Sequence, residues 1–172
     1  MLIISNHLRG KISFPKETIV RVNMAWIKDR KELKETLNNI SYPILLDLPK
    51  GRSKPPKPTL TMVDAMWAID KFPKISYFAI SNAENIDEIS LICKQIKRVE
   101  IILKIETLLG VVNLDELIDI AHPVAVLLDK DDLYISVDRN NSDFNGLVDK
   151  LRKVCKNFNI TLLELQGVVF SG

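Results

Sequence analysis

One stretch constrains the fold of this chain more than any other. Val99-Glu-Ile-Ile-Leu-Lys-Ile-Glu106 is an apolar run that ends in Lys-Ile-Glu, and Val124-Ala-Val-Leu-Leu128 is a second run that passes into Asp129-Lys-Asp-Asp132. The segment between them, from about Gly110 to Ala121, has helical composition. Strand, helix and strand in that order form a βαβ unit, whose crossover is right-handed and whose strands are parallel. Near-continuous apolar strands mean that both sheet faces are covered.

The same alternation runs along the rest of the chain. Strands are predicted at Leu2–Ser5, Thr18–Met24, Pro43–Leu48, Ile75–Ser81, Leu133–Val137 and Ile160–Gln166, the last extended by Val168–Phe170. Helices are predicted over 29–39 with Asp29 as N-cap, 61–72 with Thr61 as N-cap, 83–97 and 144–158. The result is one α/β domain over residues 1–172, either a doubly wound sheet or a barrel. No G-x-G-x-x-G and no G-x-x-x-x-G-K-[ST] is present, which weighs against the nucleotide-binding versions.

Composition narrows the function classes. The 24 basic and 22 acidic residues leave a net charge of +2, so neither a nucleic-acid nor a membrane surface is indicated. No apolar run reaches membrane-spanning length and no signal-peptide pattern opens the chain, so a cytoplasmic protein is expected. Cys93 and Cys155 lie inside predicted helices and read as reduced thiols. His7 and His122 show no ligand spacing, and His122 reads as a helix-end residue.

Polar residues at strand ends carry the functional signal. Side chains alternate across a strand, so Lys104 and Glu106 share the face opposite Ile101, Leu103 and Ile105. Arg21 and Asn23 close the second strand, Asp47 the third and Ser81 the fourth, and Asp129 to Asp132 follow the Val124 strand. The carboxyl ends of parallel strands are where barrels and open sheets place active sites. Charge inside a sheet must be paired or bind something, so Lys104 and Glu106 are either a structural ion pair or a ligand site. Ser81 serves a site or caps the next helix; Lys50–Pro58 is a solvated proline-rich turn or a phosphate- or acid-binding lid.

With Lys104-Ile-Glu106 and Gly110 to Leu117 in view, the chain resembles the phosphoenolpyruvate/pyruvate superfamily. The first likeness is to the barrel of pyruvate kinase. The second is to the citrate-lyase β-subunit and 4-hydroxy-2-oxoacid aldolase group. Arg21-Val-Asn23, Leu46-Asp47-Leu-Pro49, Leu60-Thr61 to Asp64, Ala79-Ile-Ser81 and Asp132-Leu133 resemble further motifs in the same order. The resemblance implies a reduced or incomplete TIM-type (β/α) barrel. It also implies a Mg²⁺ or Mn²⁺ ion on Glu106 and Asp132, and Lys104 beside the enolate of a small oxoacid or phosphoenolpyruvate-like ligand. Arg21 falls on the family's phosphate-side arginine, and Asn23 and Asp47 on positions around its monovalent cation; Asn23, Asp47 and Ser81 are the expected substrate-binding residues.

Departures shape the expectation. Ala25-Trp26 stands where the family has Ser-His, and Leu163-Glu-Leu-Gln166 lacks a threonine before the glutamine. The Glu106-to-Asp132 spacing suits the aldolase group better than pyruvate kinase, and leaves the second carboxylate open among Asp129, Asp131 and Asp132. The kinase's lid and regulatory domains have no counterpart here, so kinase activity is not expected. The expected function is metal-dependent lyase or aldolase chemistry. The alternative is a non-catalytic binding or regulatory relative. Missing staves leave sheet edges that loops or a second copy, in a homodimer, would cover.

Overall fold

The structure, a computed structural model, describes residues 1–5, 15–51 and 56–164. In chain order, β1 spans Ile3–Ser5, β2 Ile19–Asn23, α1 Arg30–Asn38, β3 Ile44–Leu48, α2 Met62–Lys71 and β4 Ile75–Ile80. Then follow α3 (Ile86–Gln95), β5 (Glu100–Ile105), α4 (Leu108–Val112), α5 (Leu114–Ala121), β6 (Ala125–Leu128), α6 (Lys130–Ser136), α7 (Asn141–Asn157) and β7 (Thr161–Glu164). The chain divides into two compact units, residues 1–81 with 92–101, and residues 82–91 with 102–172.

In the first unit, β1, β2, β3 and β4 pair in parallel and in chain order. Ile44, Leu45, Leu46 and Phe78 are buried, as strands covered on both faces require. Helix α1 starts at Asp29, whose carboxylate accepts the Glu32 N–H at 2.9 Å, and buries Leu33 and Leu37 one turn apart. The Asp64 carboxylate closes the first turn of α2 on the Thr61 N–H at 2.7 Å. At its other end, Arg98 donates to the Phe72 carbonyl at 3.1 Å.

In the second unit, β5, β6 and β7 pair in parallel, again in chain order. Helix α5 buries Leu114, Leu117, Ile118 and Ala121, the one-sided stripe of an amphipathic helix. It ends on His122, a left-handed C-cap with φ 43°. Helix α7 buries Val148, Leu151, Val154 and Cys155, and packs on α4, α5, α6 and β7. Burial pushes the Cys155 thiol up to about 11.

Each unit winds one way only, with no reversal of strand order. A doubly wound sheet reverses direction at a switch point; a (β/α) barrel does not. Among the described residues the connectivity is that of an α/β fold consistent with an incomplete barrel.

Four expected elements differ, one of them the helix expected over 144–158, which begins at Asn141 after the Asn140 cap. Leu133–Val137, expected as a strand, lies in α6 and its C-cap, because the Asp129 carboxylate accepts the Asp132 N–H and Asp131 and Asp132 suit a first turn. The helix expected from Ala83 begins at Ile86, where the Asn85 side chain accepts the Glu88 N–H at 2.9 Å. The helix expected over 110–121 is two helices, α4 and α5, meeting at Asn113, whose amide donates to the Glu84 carbonyl at 2.9 Å. Arg52–Pro55 of the proline-rich loop, His7 and the 165–170 extension lie outside the described residues.

Candidate functional site

Register decides which polar side chains meet. In the first unit Asn23 pairs with Asp47, and Asp47 with Ala79. Arg21, Asp47 and Ser81 therefore share one face near the carboxyl ends of β2, β3 and β4. Asp47 is fully buried. Its Oδ2 accepts Arg21 Nε at 2.8 Å and Nη2 at 2.5 Å, and its Oδ1 accepts the Ser81 hydroxyl at 2.9 Å. The Arg21 guanidinium is thereby fixed from one side, with its side chain 17% exposed. Ser81 serves this chain of bonds; the cap of α3 falls to Asn85. Asn23 caps the 3-10 turn Met24–Trp26, its Oδ1 accepting the Ala25 N–H at 3.0 Å.

In the second unit Ile105 pairs with Leu128, so the next residues, Glu106 and Asp129, leave their strands side by side. The Asp129 N–H donates to the Ile105 carbonyl at 3.1 Å and seals that position. Lys104 and Glu106, only 4% and 7% exposed, point to the same face and form an ion pair. The second Glu106 oxygen accepts the backbone N–H of Asn82 at 2.7 Å. Asn82 holds φ at 48°, a left-handed conformation that asparagine tolerates better than most residues. Lys104 Nζ also stands 3.4 Å from Asp129 Oδ2.

Asp132 completes the cluster. Carboxylate oxygens of Glu106, Asp129 and Asp132 lie within 4.8 Å of one another. Asp131, the remaining candidate, is exposed and not part of that group. The donor set suits a hard divalent cation, since three carboxylates are oxygen ligands only. Ligand oxygens around an octahedral magnesium stand about 3–4 Å apart, so the side chains need only small adjustments to close on one.

Glu106 and Asp132 are the metal ligands that the resemblance implies, with Asp129 and Asp131 as the alternatives for the second. Asp129 carried a signal of its own. It follows the last apolar residue of its strand, as Glu106 follows Ile105, and parallel register sets such positions side by side.

Beneath the cluster, the Thr107 hydroxyl donates to Glu84 at 2.7 Å and accepts the Gly110 N–H at 3.1 Å, starting α4 directly after Glu106. Gly110 has no side chain because the Ala83 carbonyl oxygen lies 2.7 Å from where a Cβ would stand. The loop that aims Asn82 at Glu106 and the helix that follows Glu106 are thus pressed together.

No family model and no curated protein matches the sequence. Solved structures do match. An HpcH/HpaI aldolase/citrate lyase family protein from Burkholderia cenocepacia aligns over 87% of this chain and 71% of its own, with TM-score 0.69 and 9% identity. The citrate synthase SbnG aligns over 89% and 69%, with TM-score 0.66 and 10% identity. CitE from Mycobacterium tuberculosis, in complex with magnesium, acetoacetate and coenzyme A, aligns over 95% and 63%, with TM-score 0.65 and 13% identity. At such identities the likeness is one of fold. It falls on the aldolase and citrate-lyase side of the resemblance drawn from the sequence; a pyruvate-kinase barrel is not what these matches show. No helix among the described residues is long and apolar enough to cross a membrane.

Proposed function

We propose that the chain is a divalent-metal-dependent enzyme of the phosphoenolpyruvate/pyruvate superfamily, acting through the enolate of a small oxoacid in carbon–carbon lyase or aldolase chemistry. The observation that carries this reading is the convergence of Glu106, Asp129 and Asp132 within 4.8 Å at the ends of β5 and β6. Support comes from the fold neighbours, one of which is in complex with magnesium and acetoacetate.

In this reading Glu106, Asp129 and Asp132 hold Mg²⁺ or Mn²⁺. The Asn82 N–H fixes the Glu106 carboxylate in place. The ion supplies Lewis acidity toward the oxygens of the oxoacid. Lys104 supplies positive charge where the enolate develops. Arg21, braced by Asp47 and Ser81, is assigned to an anionic group, because a guanidinium fixed on one edge can receive a carboxylate or phosphate in a fork on another. Asn23, with its carbonyl committed to Ala25, offers its amide donors. A cytoplasmic setting and a homodimer belong to the same proposal.

Calorimetric titration with Mn²⁺ and then oxalate tests it. Wild type is expected to bind both, and Glu106→Gln to lose at least tenfold in Mn²⁺ affinity. A wild type that binds neither overturns the enzyme reading. That outcome would leave a non-catalytic binding or regulatory protein, a reading favoured by one observation: Lys104 already engages Glu106 and Asp129.

A further inference from the structure

Lys104 has an arrangement that the metal reading by itself does not use. Its Nζ is paired with Glu106 Oε1 and stands 3.4 Å from Asp129 Oδ2. These are two of the three carboxylates grouped within 4.8 Å. The ammonium thus sits against two of the three carboxylates on which a divalent ion would draw. An ammonium and a divalent ion compete for the same two carboxylates, because like charges close together in a nearly dry setting repel strongly. The lysine is also poorly placed to retreat by rotating into water, being 4% exposed on a strand whose residues 101–105 are all buried.

We propose that Lys104 is the resident cation of the carboxylate cluster, and that a divalent ion gains Glu106 and Asp129 only by displacing its ammonium. The inference rests on the metal reading above and adds a competition to it. The metal-free protein folds with these charges paired, as buried charge requires. Metal affinity is lowered by whatever the lysine contacts contribute. Displacement then leaves a lysine with its contacts to Glu106 and Asp129 broken, and hence a positive charge ready for an anionic ligand only once the metal has bound. Metal first and anion second becomes the favoured order, through a group shared by both events.

The test is Mn²⁺ binding by isothermal titration calorimetry, without organic ligand, on wild type, Lys104→Gln and Lys104→Met. Both variants remove the charge and keep a side chain of similar length. The expected result is a Kd at least tenfold lower in the variants, with circular dichroism like that of wild type. A folded variant that binds Mn²⁺ no more tightly than wild type overturns the competition and leaves the metal reading standing. If wild type and folded variants all take up no Mn²⁺, the metal reading fails and the competition falls with it. A second measurement needs no variant. In protein labelled with ¹³C-lysine, the ε-methylene resonance of Lys104 is expected to move as Mg²⁺ is added. A resonance that stays in place while Mg²⁺ saturates its site overturns the proposal.

Discussion

Asp47 and Arg21 show how far single residues were legible. That a charged residue closes the third strand is plain in the sequence. What the sequence could not say is that both carboxylate oxygens are used inside the protein, by Arg21 and by Ser81. Face-sharing follows from alternation, but which strands are neighbours, and in what register, is fixed only by the folded sheet. The arrangement has a measurable consequence. Asp47→Ala leaves a largely buried guanidinium without its carboxylate, and is expected to cost about 3–5 kcal/mol of stability. Ser81→Ala removes one hydrogen bond and should cost about 1 kcal/mol. Urea denaturation of the two variants checks both values. A loss below about 1 kcal/mol for Asp47→Ala would mean that water reaches the pair readily. Asp129 makes the complementary point: its position was readable beside Glu106, but the motif match pulled attention three residues on to Asp132.

At the scale of elements, strands of continuous apolar residues were read within a residue or two, because buried parallel strands leave little ambiguity. The miss was Leu133–Val137. Its alternating Leu, Ile and Val imitate a strand, yet Asp129 caps the segment and two acidic residues follow in the first turn, so helix α6 forms. Capping chemistry outweighs period where the run is this short. The break at Asn113 escaped for another reason: it depends on a bond to the Glu84 carbonyl, a contact distant in sequence. Gly110 offers the test of how tightly these pieces are set. Gly110→Ala would ordinarily gain up to about 1 kcal/mol of helix propensity. Here the added methyl meets a backbone oxygen at 2.7 Å, and overpacking of that kind typically costs about 1–3 kcal/mol. Net destabilisation is expected, read as a lowered Tm; an unchanged or raised Tm would show that the 82–85 loop yields freely.

For the whole molecule, acid is the informative perturbation. Arg30, with the Thr61 N–H, holds the Asp64 carboxyl below its usual range in the first unit, and Lys130 with Arg152 does the same for Glu164 in the second. Each folded pKa is depressed. The stability these groups contribute is therefore present above their ordinary values, near 4, and is lost as pH falls through the folded values. Between about pH 5 and pH 3, wild type should lose stability more steeply than the double variant Asp64→Asn/Glu164→Gln. Equal slopes in chemical denaturation across that range would count against both ion pairs.

The order of the strands bears on something else, the history of each molecule. Every ladder described within the two units joins strands that follow one another along the chain. Among the described residues, no strand inside either unit waits for a partner beyond the next strand of the chain. A chain of this kind can build its ladders in the order in which a ribosome releases it, each new strand docking on the one before. That ordering keeps each separation to a single crossover, 16 residues from Ile3 to Ile19 and 36 from Ala125 to Thr161, so an edge left exposed at one step waits for one crossover before its partner arrives.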